Sequence, residues 1–207
     1  KINTLVIGAG QAGLAASEHL SIHNIDHLVL EKERIVERWR TSRWDSLVAN
    51  GPAWHDRFPT LEFSELNPDS FATKNRVVKY FEEFAKKINA PVIENINVLQ
   101  VEKYAENRFF IKTSDGEFEA KNIICATGAF QVPVIPSIIP EDSNILQMHS
   151  QFYKNPEQLK KGAVLVVGSG SSGSQIAEEL NRANKEVYFS IGPHDRPPRR
   201  YRGKDNV

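Results

Sequence analysis

Two glycine-rich turns are the residues whose types and spacing most clearly indicate chemistry. The first, after the apolar run 2–7, is Gly8-Ala9-Gly10-Gln11-Ala12-Gly13. In such a turn the first glycine permits a tight bend, the second admits a pyrophosphate to the backbone, and the third lets a helix pack closely on a strand. Backbone amides at the start of that helix then face the phosphates. We predict a dinucleotide site here; a glycine-rich surface turn is the alternative.

An acidic residue specifies the kind of dinucleotide that the first turn should hold. Glu31 follows the second predicted strand, 27–30, and Lys32 comes next to it. A carboxylate at this position accepts hydrogen bonds from a ribose 2′-hydroxyl and repels a 2′-phosphate. We therefore predict FAD or NAD at this turn, and not NADP, with Glu31 and Lys32 in the site.

A second turn of the same kind follows the predicted strand 163–167, and it reads Gly168-Ser169-Gly170-Ser171-Ser172-Gly173. The next predicted strand, 187–191, contains Ser190 and no acid. Three arginines lie beyond it: Arg196, Arg199 and Arg200. Hydroxyl and guanidinium groups suit a 2′-phosphate, which favours NADPH over NADH. A solvated basic loop is the alternative for the arginines. Two such turns in one chain predict a flavin at one and its electron donor at the other.

Composition narrows the class of protein. The chain has 26 basic and 26 acidic residues, which argues against a broad electrostatic contact with nucleic acid or an anionic membrane. One cysteine, Cys125, excludes a disulfide redox pair within these residues and fits a cytoplasmic setting. No apolar run reaches the roughly 18 residues of a membrane span. A homodimer is left open.

The order of predicted elements is that of an α/β protein, because strands alternate with helices along the chain. Segment 33–70 is predicted to be irregular, which is typical of a functional loop. Predicted helices cover 11–22, 75–88 and 174–184, and predicted strands cover 2–7, 27–30, 92–93, 97–104, 108–113, 116–120, 122–126, 163–167 and 187–191.

Several motifs together resemble one family over essentially the whole chain. They are the two glycine turns, Trp39-Arg40, the run 45–50, Ala126-Thr127-Gly128 with Pro133 and Pro136, and the segment from His149 to Tyr153. This set resembles the flavin-containing monooxygenases, which include N-oxygenating enzymes, bacterial relatives, plant indole-pyruvate monooxygenases and, more distantly, Baeyer–Villiger monooxygenases.

The resemblance implies an α/β fold with two Rossmann-like dinucleotide-binding domains, an FAD domain with an NADPH domain inserted into it. We expect the FAD domain to occupy 1–157 and the NADPH domain to begin at 158 and run to 207. That plan requires further strands after Val207, so we also expect the chain to be truncated at its C-terminus.

The resemblance also implies roles for individual residues. Asn50 matches an asparagine beside the flavin ring that contacts the nicotinamide or the oxygenated flavin, and it is the candidate catalytic group; a turn residue before Gly51-Pro52 is the alternative. The candidate cofactor-binding residues are Gly8, Ala9, Gly10, Gln11, Ala12, Gly13, Glu31 and Lys32 for FAD, Arg38 and Trp39 along the flavin, Ala126, Thr127 and Gly128 between the domains, and Gly168, Gly170, Ser171, Ser172, Gly173, Ser174, Ser190 and Arg196 for NADPH.

The chain departs from the family pattern at three places. Ser143 and Ile145 occupy the phenylalanine and glycine positions of the motif ahead of the second turn. Tyr153 replaces the tryptophan that marks Baeyer–Villiger enzymes. Ile191 follows Ser190 where an arginine is usual, so Arg196 substitutes for it only if the loop folds back.

By this resemblance the protein is an FAD- and NADPH-dependent monooxygenase. It would insert one oxygen from dioxygen into a small organic substrate through a flavin hydroperoxide, with N- or S-oxygenation favoured and no metal required. Two alternatives remain: an NAD(P)H-dependent flavin oxidoreductase without oxygen transfer, and a non-catalytic FAD-binding module.

Overall fold

The chain forms two compact units in this computed structural model, which describes residues 2–137, 140, 144–193, 198, 200–201 and 203–205. The first unit comprises Lys1–Thr41 and Asn75–Pro133, and the second comprises Ser42–Lys74 and Val134–Val207. The predicted cofactor domains, divided after residue 157, are defined by ligands and not by compactness, so that division stays a prediction.

The first unit is built on a six-stranded sheet with the order β3-β2-β1-β6-β5-β4. Strands β1, β2, β3 and β6 pair in parallel, whereas β5 is antiparallel to both β4 and β6. The strands are β1 (Ile2–Ile7), β2 (His27–Leu30), β3 (Val92–Ile93), β4 (Val98–Ala105), β5 (Arg108–Thr113) and β6 (Gly116–Cys125).

Strand β1 lies at the centre of the sheet, between β2 and β6, which explains its continuous apolar sequence. Leu5 and Val6 are fully buried. Leu5 also belongs to the core cluster that Leu30, Ile96, Ile111 and Ala120 complete. Strand β1 is therefore hydrogen-bonded to a parallel strand on each side, and the carboxyl ends of these strands meet at one edge of the sheet.

One predicted boundary in this sheet is wrong. The sequence predicts separate strands at 116–120 and 122–126, whereas Gly116–Cys125 is one continuous strand. Its first half pairs antiparallel with β5 and its second half pairs parallel with β1, and Ala120 is paired on both sides. A strand that changes partner midway shows no single burial pattern in the sequence.

The helices of the first unit are α1 (Gln11–Ile22), α2 (Glu37–Thr41) and α3 (Lys74–Lys87), the last beginning one residue inside the second unit. Helix α1 packs on the sheet through Gly13, Leu14 and Ser17, all buried. The Ser17 hydroxyl donates to His27 Nε2 over 2.8 Å, while His27 Nδ1 donates to the Ile25 carbonyl over 2.9 Å. The short α2 falls in the segment that was predicted to be irregular.

The second unit contains a parallel pair of strands with a helix between them in sequence. It consists of β7 (Val164–Val167), α4 (Ser171–Arg182), β8 (Val187–Ser190), the hairpin β9 (Arg200–Tyr201) and β10 (Lys204–Asp205), and a 3-10 turn at Pro156–Gln158. Helix α4 begins at Ser171, within the glycine turn and three residues earlier than predicted. The irregular segment 42–74 folds back on itself, with Val48 bridging Thr73.

Among the residues that the structure describes, no helix combines the length and the apolar character that crossing a bilayer requires.

Replacing Gly13 with alanine should destabilise the fold. A Cβ on Gly13 would lie 1.8 Å from the Gly8 carbonyl oxygen, so helix α1 would have to move away from the end of β1. We expect a loss of about 1–3 kcal/mol in the free energy of unfolding, measured by urea denaturation followed by circular dichroism.

Gly10→Ala is the matched control, because a Cβ on Gly10 meets no atom within 4 Å. With both variants measured as flavin-free protein, it should change the free energy of unfolding by less than about 0.5 kcal/mol. Equal losses for the two variants would contradict the close contact between helix and strand.

Candidate functional site

The first glycine turn has the backbone conformation that only glycine adopts without strain. Gly8 has a φ of +104° and donates its N–H to the Leu30 carbonyl over 2.8 Å. A Cβ at Gly8 would lie 2.5 Å from the Ala126 carbonyl oxygen, and Ala126 itself donates to the Ile7 carbonyl. The ends of β1, β2 and β6 are thus joined at this turn.

Space for a ligand remains at the middle glycine of this turn. Gly8 and Gly13 are surrounded by backbone, whereas Gly10 faces open space on the side where a Cβ would point. Gly10 is also the N-cap of α1, with no side-chain cap and no acidic residue in the first helical turn. The first amides of α1 therefore have no anionic partner from their own helix, and the site fits a bound phosphate.

Glu31 lies directly against this turn. Its Oε2 accepts a hydrogen bond from the Ala9 N–H over 2.7 Å, and its Oε1 accepts one from the Glu33 N–H over 3.0 Å. The two bonds orient the half-buried carboxylate at the carboxyl end of β2, where the sequence predicts a ribose ligand. Lys32 is adjacent and exposed.

Val36 connects the turn to α2, and no feature of the sequence indicated it. It is buried, has a φ of +53° and donates its N–H to the Ala9 carbonyl over 3.3 Å. A positive φ is strained for a β-branched residue and is found where the surroundings hold it. This link places Arg38 and Trp39, both half-buried, on the helix that follows.

Arg38 also reaches the segment that follows β6. Its Nη2 donates to the Phe130 carbonyl over 2.5 Å. The first unit thus brings together the glycine turn, Glu31, the α2 residues and the segment beginning with Ala126. Thr127 and Gly128 of that segment are exposed, and Gly128 has a φ of +83°.

The second turn repeats the construction of the first. Gly168 has a φ of +96° and donates to the Ser190 carbonyl over 3.0 Å. A Cβ on Gly173 would lie 1.9 Å from the Gly168 carbonyl oxygen, while one on Gly170 would meet nothing within 4 Å. Gly170 is the N-cap of α4, again without a side-chain cap. Ser171, Ser172 and Ser174 follow it in the first turn of the helix.

The two turns differ at the position of the carboxylate. Gly8 bonds to Leu30 and Gly168 to Ser190, so the residue equivalent to Glu31 is Ile191, one residue after Ser190. Ile191 is exposed and uncharged. The exposed Ser190 remains a predicted ligand, whereas Arg196, Arg199 and Ser143 lie outside the residues that the structure describes.

Asn50 lies in the second unit and is exposed. Hydrogen bonds fix both its side chain and the backbone of the residue that follows it. Its Oδ1 accepts a hydrogen bond from Gln175 Nε2 over 3.4 Å. The next residue, Gly51, donates its N–H to Asp56 Oδ2 over 2.7 Å, and a Cβ on Gly51 would collide with that carboxylate. Gln175 and Asp56, like Val36, were not found from the sequence because their partners depend on the fold.

Ion pairs and hydrogen bonds support the segment that carries Asn50. Asp45 accepts from Asn155 over 2.9 Å and from Lys74 over 3.0 Å, and these bonds lower the pKa of the Asp45 carboxyl. Tyr153 donates its hydroxyl to Glu179 over 2.6 Å; burial, then this bond, raises the Tyr153 pKa. The motif ending at Tyr153 is therefore attached to α4.

Within the described part of the chain, no three His, Cys, Asp or Glu side chains are grouped to hold a metal ion.

Comparison with known proteins places this arrangement in a family. The family profile described as pyridine nucleotide-disulphide oxidoreductase matches residues 5–201. An uncharacterized CzcO-like oxidoreductase of Geobacillus kaustophilus is 40% identical over 92% of this chain and 54% of its own length. The probable indole-3-pyruvate monooxygenase YUCCA1 of Arabidopsis thaliana is 34% identical over 90% of this chain and 46% of its own. The chain thus spans about half the length of these curated relatives.

A solved structure gives the same result for the fold. A variant of the flavin monooxygenase from Stenotrophomonas maltophilia superposes with a TM-score of 0.84 at 26% identity, covering 93% of this chain and 58% of that one. Since the family profile spans nearly all of its residues, the chain belongs to the pyridine nucleotide-disulphide oxidoreductase family of flavin- and nicotinamide-dependent enzymes, and its resemblance to the flavin-containing monooxygenases is confirmed.

Proposed function

We propose that the protein is an FAD- and NADPH-dependent monooxygenase that transfers one oxygen atom from dioxygen to a small organic substrate. The observation that carries the proposal is the presence of two glycine turns of one construction, of which the first has the Glu31 carboxylate against it and the second has the uncharged Ile191 at the equivalent position. When bound, the flavin supplies the redox chemistry, and the protein supplies binding, orientation and exclusion of water.

FAD is the dinucleotide that suits the first turn. Amides of Gln11, Ala12 and Gly13 at the start of α1 would hold its pyrophosphate, in the space that Gly10 leaves open. Glu31, oriented by the Ala9 and Glu33 amides, would accept the ribose hydroxyl. Arg38 and Trp39 would then line the flavin.

NADPH is the dinucleotide that suits the second turn. Amides of Ser171 to Ser174 would contact its pyrophosphate beside the open Gly170. Ile191 stands at the position of Glu31, so that position carries no charge that would repel a 2′-phosphate, and the adjacent Ser190 offers a hydroxyl. Arg196 is proposed to add a positive charge.

Asn50 is proposed to act on the reacting atoms. An uncharged amide donates a hydrogen bond to the nicotinamide or to developing oxygen charge without competing for a proton. Because Tyr153 stands where Baeyer–Villiger enzymes have tryptophan, we favour oxygenation of a nitrogen or sulfur atom.

The remaining assignments follow from the same proposal. We assign residues 1–157 to an FAD domain and 158–207 to the beginning of an NADPH domain, in a cytoplasmic enzyme whose partners are a small molecule and dioxygen. A flavin oxidoreductase without oxygen transfer and a non-catalytic flavin-binding module are the competing functions.

Gly10→Ala should weaken flavin binding while leaving the fold intact. The added methyl group meets no protein atom but occupies the space proposed for the pyrophosphate. We expect the FAD dissociation constant to rise by more than about tenfold, which is about 1.4 kcal/mol, in a fluorescence titration of the flavin-free protein. Unchanged affinity would place the pyrophosphate elsewhere.

Ile191→Glu should shift the nucleotide preference toward NADH. The substitution places a carboxylate where Glu31 stands in the first turn, close to the proposed 2′-phosphate. We expect kcat/KM for NADPH to fall by about tenfold or more, with a much smaller change for NADH, since only the phosphorylated ribose is repelled. Parallel losses for both nucleotides would indicate a general disturbance of β8 instead.

A stopped-flow experiment distinguishes the three functions. The protein is reduced with NADPH and mixed with oxygenated buffer while absorbance is followed. A transient in the near ultraviolet before oxidised flavin returns indicates a monooxygenase. Immediate reoxidation indicates an oxidoreductase without oxygen transfer, and absence of reduction indicates a binding module.

In the same experiment Asn50→Ala should shorten the life of the transient. Loss of one hydrogen bond of about 1.4 kcal/mol corresponds to about a tenfold shorter lifetime. Ser46→Ala, an exposed residue of the same segment, is the control and should leave it unchanged. An unchanged lifetime in Asn50→Ala would remove Asn50 from the reaction.

A further inference from the structure

Gln175, in the second turn of α4, makes two hydrogen bonds to one backbone residue. Its Oε1 accepts from the Val48 N–H over 3.4 Å, and its Nε2 donates to the Val48 carbonyl over 3.2 Å. All of these atoms belong to the second unit. The side-chain amide therefore pairs with Val48 much as a neighbouring strand would.

The direction of the Val48 backbone groups is set by the residues beside it. The Ala49 N–H donates to the Ala72 carbonyl, and the Leu47 carbonyl accepts from the Lys74 N–H, each over 2.8 Å. In extended chain, successive residues direct their N–H and C=O groups to opposite sides. Leu47 and Ala49 are paired with segment 72–74, so Val48 presents its own groups to Gln175.

This pairing decides which way round the Gln175 amide lies. A backbone N–H only donates and a carbonyl only accepts, so the Gln175 oxygen must face the N–H of Val48 and the nitrogen must face its carbonyl. The same nitrogen donates to Asn50 over 3.4 Å. The Asn50 atom at that contact must then be its acceptor, Oδ1.

The Asn50 amide nitrogen is consequently directed away from Gln175. The Asn50 side chain is exposed, and its Nδ2 makes no hydrogen bond to any residue described in the structure. The orientation that remains is the one in which Asn50 offers a donor to whatever binds beside it.

We propose that Gln175 is a positioning residue that fixes the orientation of the Asn50 amide so that its N–H group, and not its oxygen, faces the reacting atoms. Its importance for catalysis rests on the function proposed above for Asn50. The fixed orientation itself follows from the Val48 backbone and can be tested separately.

Two substitutions at position 175 separate orientation from simple loss of contact. Gln175→Leu removes both bonds to Val48 at similar size. Gln175→Glu keeps an acceptor for the Val48 N–H but has no donor for Asn50, so Asn50 should turn its Nδ2 toward the new carboxylate. Glu178→Gln is the matched control, because Glu178 lies on the same helix, is exposed and pairs with Arg182.

The first readout does not depend on activity. In protein labelled with ¹⁵N-asparagine, the Asn50 side-chain resonance is identified by its loss in Asn50→Ala. We expect its solvent exchange to slow in Gln175→Glu, as the NH₂ group gains a carboxylate partner. Backbone exchange at Val48 should accelerate several-fold in Gln175→Leu and stay near the original rate in Glu178→Gln.

The second readout is the stopped-flow transient of the holoprotein. Gln175→Glu should shorten its lifetime to that of Asn50→Ala, change flavin reduction by NADPH no more than Asn50→Ala does, and have no additional effect in the Asn50→Ala background. A merely structural role would slow reduction beyond the effect of Asn50→Ala.

The two readouts test the orientation by Gln175 and the monooxygenase function separately. Unchanged Asn50 and Val48 exchange in both Gln175 variants would overturn the proposal, as would a normal transient in Gln175→Glu when Asn50→Ala shortens it. Altered exchange in a protein that shows no transient at all would leave the orientation by Gln175 standing and refute the proposed monooxygenase function.

Discussion

The close approach of a helix to the carbonyl oxygen of a glycine is the contact on which both sites depend. Gly13 meets the Gly8 carbonyl and Gly173 meets the Gly168 carbonyl at distances that no side chain permits. Only this approach brings the first amides of α1 and α4 to the ends of β1 and β7. At the middle glycine of each turn the space that a side chain would fill is open, and it is left for a ligand. Two glycines in each turn thus serve the fold, and one serves binding.

Backbone groups go on to orient the polar side chains. Amides of Ala9 and Glu33 orient the Glu31 carboxylate. The Val48 backbone orients Gln175, and Gln175 orients Asn50. In both cases a backbone group, which can only donate or only accept, determines the orientation of a polar side chain that could otherwise rotate. This is how a site retains a defined polarity before any ligand is present.

The fold alone does not choose among the chemistries of this family. The matching profile is described as pyridine nucleotide-disulphide oxidoreductase, whereas YUCCA1 and the Stenotrophomonas protein are named as monooxygenases. Function has to be argued from the site. The site has the Glu31 carboxylate at the first turn, the uncharged Ile191 at the equivalent position of the second, and an exposed amide at Asn50. These 207 residues also contain a single cysteine, which cannot form a redox pair with itself.

Local sequence determined what depends on neighbouring residues: both glycine turns, the helices that follow them, most strands, and the position of Glu31 beside the first turn. These features follow from backbone sterics and hydrophobic periodicity, which act over a few residues. Tertiary structure alone decided the strained Val36, the single strand from Gly116 to Cys125, the equivalence of Ile191 with Glu31, and the contact of Gln175 with Val48 and Asn50. Those depend on partners as much as 127 residues apart, whose meeting is set by packing.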